Sequence, residues 1–104
     1  MVHLQETSYR DELDVEAAID VRFSTRRDDV LDYAVVLLVE ERNEWHAVRV
    51  YDNVHQVHDM HRYNRAGEKQ TAETFHRGSA SEALQSAIEA VRSGYSEMIE
   101  SWRR

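Results

Sequence analysis

The sequence contains no cysteine. Disulfides, thiolate nucleophiles and zinc–thiolate sites are therefore excluded together. The absence also fits a reducing compartment, so a cytoplasmic protein is expected. Glycine is scarce, with three residues in 104. There is no Gly-x-Ser-x-Gly elbow, P-loop or glycine-rich phosphate cradle. No apolar run approaches the ~18 residues needed to span a bilayer. Met1 to Glu6 lacks the basic and apolar regions of a signal peptide. Lysine is almost missing: of 13 basic residues only Lys69 is not arginine. With a net charge of −7, that composition suits a halophilic protein kept hydrated in high salt. A GC-rich genome, which favours arginine codons, produces the same bias.

A length of 104 residues fits one domain over residues 1–104, with room for one core and one sheet–helix interface. Barrels and dinucleotide folds are excluded by length. Charge is uneven along the chain. Residues 1–45 carry five basic and twelve acidic groups, a net of −7. Residues 46–77 carry five basic and four acidic groups, a net of +1, and five of the six histidines. Residues 78–104 carry three basic and four acidic groups, a net of −1. An anionic ligand meets least repulsion in the middle segment.

Residues 1–11 read as a polar, flexible tail. From Leu13, apolar residues alternate with polar ones through Val15, Ala17, Ile19, Val21 and Phe23, which predicts one strand with a wet face. Thr25 to Asp29 reads as a turn. Val30 to Glu40 is a second strand, apolar on both faces and so central or covered by a partner. Glu44 to Asp52 is a third, rich in β-branched and aromatic residues. The short connectors imply antiparallel neighbours. A turn over Asn53 to Gln56, a fourth strand, a turn at Arg65 to Glu68 and a weak fifth strand over Gln70 to His76 follow. Ser79 and Glu82 have the spacing of a helix capping box. Leu84, Ala87, Ile88, Val91, Tyr95, Met98, Ile99 and Trp102 then recur at steps of three and four, as one helix stripe. The expected fold is α+β: an antiparallel meander of four to five strands with a long C-terminal helix on one face. Val36, Leu38, Trp45 and Trp102 exceed what one helix covers, so association as a homodimer or with another protein is expected.

The segment Arg49 to Tyr63 carries the chemistry. His55, His58 and His61 recur every third residue, with Arg49 and Arg62 on either side. Imidazole exchanges protons near neutral pH, and arginine grips phosphate in a bidentate fork. Such groups suit metal-independent phosphodiester cleavage: one histidine deprotonates a ribose 2′-hydroxyl, another protonates the leaving oxygen, and an arginine stabilises the charge on phosphorus. The plainer reading is a hairpin with solvated histidines. The same histidines also suit a metal-binding domain. However, the spacing matches no standard zinc signature, and a straight strand puts His58 on the opposite face from His55 and His61.

The run Tyr51-Asp52-Asn53 at a strand end, preceded by Arg49 and followed by clustered histidines and Arg62, resembles the TumE-like toxins. These are small proteins encoded beside a helix-turn-helix antitoxin. The similarity spans roughly residues 30–100, and its specific part is Arg49 to Arg62. Here Val50 separates Arg49 from Tyr51, and the histidines are more widely spaced than in the family. The resemblance implies a growth-inhibiting toxin directed at RNA and neutralised by an antitoxin from a neighbouring gene. Tyr51, Asp52, His58 and His61 would be its catalytic residues, and Arg49 and Arg62 its phosphate binders. From the histidine cluster itself, His55 is a further candidate binding residue, and no cofactor is expected. A non-catalytic interaction module is the alternative. For His58 and His61 to act as one acid–base pair, a turn or bulge must lie near Asp59.

Overall fold

The computed structural model describes residues 3–104. Six strands run in the order β1 (Gln5–Asp14), β2 (Ala17–Arg26), β3 (Asp29–Glu41), β4 (Glu44–Asp52), β5 (His58–Arg62) and β6 (Glu73–His76), followed by helix α1 (Ala80–Arg103). Each strand pairs antiparallel with the next, giving an unbroken six-stranded meander. The connections β2–β3 and β3–β4 are two-residue turns. Arg27, Asp28, Arg42 and Asn43 all have positive φ there, the backbone that two-residue hairpins require to match strand twist.

The expected polar tail is corrected by a strand beyond the four to five expected. Gln5–Asp14 is not a tail but the edge strand β1; the part of that expectation on Met1 and Val2 lies outside the described residues. The continuous strand expected from Leu13 is instead a hairpin. Val15 sits at its tip, 89% exposed, where its N–H donates to the Asp14 carboxylate at 2.8 Å. A register shift at Leu13, between Glu12 and Asp14, offsets the two-residue turn. Odd-numbered residues therefore face the helix on both strands, and the apolar alternation runs unbroken through a chain reversal.

The core lies between the sheet and α1. Ile19, Val21, Tyr33, Val35, Leu37 and Val39 are buried from β2 and β3, and Val48, Tyr51 and Met60 from β4 and β5. The helix contributes Ala83, Leu84, Ala87, Val91, Ile99 and Trp102. Fully burying an aliphatic side chain of this size contributes roughly 1.5–3 kcal/mol. Of the stripe residues, Leu84 and Val91 are buried and Ile88 and Tyr95 are partly buried against the same core. Ala83 and Ala87 are fully buried beside them, and their small side chains let the helix approach closely. Tyr95 lies toward the edge, where its hydroxyl donates to the Leu13 carbonyl at 3.1 Å. Ser79 caps the helix: its hydroxyl accepts from the Glu82 N–H at 3.1 Å, and the Glu82 carboxylate accepts from the Ser79 N–H in return. Gly94 neither ends the helix nor leaves it, since α1 continues to Arg103.

The second face of the sheet has no helix over it. Ala18 and Leu38 are buried there, Val36 and Val50 are half-buried, and Trp45 is exposed beside the Arg10 guanidinium. Trp102 is not on this face but under the helix end, against His46. No helix among the described residues is long and apolar enough to cross a membrane.

Candidate functional site

The register of β4 and β5 decides where the chemistry-bearing residues go. Tyr51 lies opposite Met60, Asp52 opposite Asp59, Val50 opposite His61, and Arg49 opposite Arg62. Residues directly opposite share a face, and alternation then sorts the segment. His58, Met60, Tyr51, Arg49 and Arg62 belong to the helix side. Asp52, Asp59 and His61 belong to the other.

The two histidines expected to form an acid–base pair are therefore on opposite faces of β5. The register does shift between His58 and Asp59, but the extra residue is Phe75 on β6. β5 itself stays regular, so the shift does not bring the imidazoles together. His58 has a structural position: its Nδ1 is 2.7 Å from the Tyr33 hydroxyl and its Nε2 is 2.9 Å from the Gly78 carbonyl. It joins the sheet to the segment that enters α1. Burial pushes the Tyr33 phenol well above its ordinary pKa, and the Asp52 and Asp59 carboxylates push in the same direction. Tyr33 is thus a neutral hydroxyl at any physiological pH. His61 is 8% exposed, with Nδ1 3.1 Å from the Gln70 carbonyl.

Tyr51 is a core residue, 3% exposed, with its ring edge-on to Phe75 at 5.0 Å. Asp52 is buried, and its carboxylate accepts from the Val54 N–H at 3.4 Å. His55 is exposed in the loop between β4 and β5, away from the other candidates. Among the described residues, no three His, Asp or Glu side chains are grouped to hold a metal.

The arginines are brought together. A second register shift, between Leu37 and Leu38, leaves Val48 as an extra residue on β4. Val48 and Arg49 consequently both face the helix side: Val48 enters the core and Arg49 lines a cleft beside the C-terminal end of α1. Re-aiming a side chain in this way is a common use of β-bulges. The cleft has a volume of about 310 Å³. Arg49, Arg62, Arg65 and Arg104 line it together with Met98 and Trp102, and no acidic residue does. Arg62 is bridged to Glu73 at 2.8 Å, and Arg65 to Glu41 at 2.7 Å. Hydrogen bonding to Arg65 holds the Glu41 carboxyl below its usual range, assisted by Arg103. Arg49 and Arg104 make no ion pair among the described residues.

Trp102 adds a second feature. Its indole N–H is buried and has no hydrogen-bond partner, the sole such side-chain atom among the described residues. An unsatisfied buried donor costs about 1–3 kcal/mol. The guanidinium of Arg65 lies over the same ring, 5.3 Å from its centroid. Sequence reasoning singled out Arg49 and Arg62 but missed Arg65, Arg104 and the cleft role of Trp102. Arg65 read as a turn residue, Arg104 as the end of a helix and Trp102 as core. Only the return of α1 across the sheet places them together.

Compared with known proteins, no curated protein and no solved structure matches the chain. The family model described as Domain of unknown function (DUF7718) matches residues 4–104, almost the whole chain, and the chain belongs to that family.

Proposed function

We propose that the chain is the RNA-directed toxin of a toxin–antitoxin pair and that it holds RNA phosphate in the arginine cleft. The observation that carries this reading is the cross-strand pair Arg49–Arg62 in a cleft without acidic lining, on a chain of net charge −7. Glu73 and Glu41 already neutralise Arg62 and Arg65, while Arg49 and Arg104 make no ion pair among the described residues, so an anion entering the cleft meets two uncompensated guanidiniums. Guanidinium–phosphate contacts are bidentate and charge-assisted. The resemblance of Arg49 to Arg62 to the TumE-like toxins supplies the biological role and the antitoxin partner. The geometry favours capture over cleavage: the cleft holds no histidine, and His58 and His61 lie on opposite faces.

Induction in a bacterial host is expected to arrest growth, and coexpression of the neighbouring gene product to relieve the arrest. The double variant Arg49→Gln/Arg62→Gln is expected to be harmless while still binding the antitoxin. A double variant as toxic as the wild type would overturn the assignment of the cleft.

One observation favours a second reading, a non-catalytic interaction module. The uncovered sheet face carries Ala18, Val36, Leu38 and Val50 in a contiguous strip across β2, β3 and β4. In the toxin reading, this is the face the antitoxin or a second copy would cover.

A further inference from the structure

We infer that the arginine cleft recognises a terminal phosphate, the phosphomonoester dianion at the end of an RNA strand or on a mononucleotide, in preference to an internal phosphodiester. The inference rests on the RNA reading above in taking the cleft as the contact site. Three features of the cleft carry it.

The first is charge. Four lining guanidiniums are offset by two carboxylates, Glu73 on Arg62 and Glu41 on Arg65. Arg49 and Arg104 are left without ion-pair partners among the described residues. Two unbalanced side-chain charges match a phosphomonoester, which carries about −1.5 to −2 at neutral pH. A diester carries a single negative charge and would leave one guanidinium uncompensated.

The second is the orphan donor. The Trp102 N–H lacks a partner in a residue that lines the cleft and is 7% exposed. A phosphomonoester presents three terminal oxygens, one more than a diester has to share among Arg49, Arg62 and a further donor such as the indole N–H of this lining residue.

The third is size. The cleft has a volume of only about 310 Å³, at the low end of ligand-sized cavities. Its neighbourhood also carries the acidic groups Glu41 and Glu73, and the N-terminal half of the chain is strongly acidic. A strand held by an internal phosphate has to leave the cleft in two directions over this acidic chain, and a strand held by its end in only one.

The test is a ¹⁵N-correlation titration of the full chain at pH 7.5, following the two indole N–H signals. The probes are uridine 5′-monophosphate, uridine 3′-monophosphate, inorganic phosphate and dimethyl phosphate. The monoesters are expected to shift the Trp102 signal saturably and leave Trp45 unmoved. They should bind at least about ten-fold tighter than dimethyl phosphate, the equivalent of one further charge-assisted hydrogen bond. Affinity should fall when pH is lowered through ~6, where the monoester loses its second charge. Trp102→Phe keeps an aromatic ring and removes the N–H, and Arg49→Gln removes a side chain with no ion pair among the described residues; both should weaken the monoesters several-fold. Arg22→Gln, on the uncovered face, should change nothing. Equal affinity for dimethyl phosphate, or an unmoved Trp102 signal at saturation, would overturn the inference.

A single-stranded RNA with and without a 5′- or 3′-phosphate separates this inference from the reading it rests on. Tight binding of both forms refutes the terminal-phosphate preference and leaves the RNA reading in place. Binding of mononucleotides but of neither RNA does the reverse.

Discussion

His58 shows how a residue chosen for chemistry can turn out to hold the fold. It bridges the Tyr33 hydroxyl and the Gly78 carbonyl through its two ring nitrogens. His58→Ala leaves the buried Tyr33 hydroxyl without that partner, at a cost of roughly 1–3 kcal/mol. Urea denaturation should show the loss, while RNA binding, measured where the variant is folded, should be unchanged. A stable His58→Ala protein that no longer binds RNA would reverse the assignment. The histidine cluster was conspicuous in the sequence, and strand alternation already put His58 and His61 on opposite faces. A register shift does lie beside Asp59, but its extra residue is Phe75 on β6, so it does not reunite them. Register shifts occur at Val48 on β4 and Phe75 on β6, and neither carries a residue type that marks a bulge. No spacing rule reveals which of two paired strands takes the extra residue, because that depends on packing against the helix.

At the scale of elements, α1 was the most legible part of the chain. Ser79, Glu82 and the apolar stripe set its start and its buried side, because capping and helical periodicity are local. Ser79→Ala should destabilise the protein by about 1 kcal/mol, lowering Tm by roughly 4–8 °C in a calorimetric scan. The cap also predicts a pH dependence. Hydrogen bonds from Ser79 hold the Glu82 carboxyl below its ordinary pKa. A group depressed in the folded state stabilises above its unfolded pKa, and that contribution is lost as pH falls through the folded value. Stability contributed by the cap should therefore be complete at neutral pH and fade in the acid range. Glu82→Gln should flatten that part of the profile; an identical acid limb in the variant would count against the cap. Strand β1 was the least legible element. Its residues are polar, and the shift at Leu13 hides the hairpin by preserving the odd-numbered alternation. A reading based on period alone has no means of seeing a reversal that keeps the period.

At the scale of the molecule, a sheet covered by one helix leaves its second face open and the arginine cleft beside the helix end. The molecule is elongated, 47 × 25 × 22 Å, with the cleft beside the end of α1 and the strip of Val36, Leu38 and Val50 on the opposite face. In the proposed function, an antitoxin on one surface would leave the other free for RNA. Val36→Glu should disrupt association, read by sedimentation velocity, without changing RNA affinity. RNA binding should also depend weakly on salt. With no more than four arginines available, the slope of log K against log salt should be no steeper than about −3 for a single strand, at ~0.7 per phosphate contact. A steeper slope would mean a larger contact surface than the cleft provides.

The central claim is that Arg49 and Arg62, joined across β4 and β5, form the RNA-binding contact. The direct measurement is a fluorescence-anisotropy titration of a 5′-phosphorylated single-stranded RNA with the wild type and with Arg49→Gln/Arg62→Gln. Arg49 has no ion pair among the described residues, and exposed pairs such as Arg62–Glu73 contribute only about 0–1 kcal/mol, so the variant should keep nearly the same Tm. The wild type should bind saturably, and the variant more than about ten-fold more weakly, since two charge-assisted contacts are lost. Equal affinity in the two proteins, or no binding by the folded wild type, would contradict the claim.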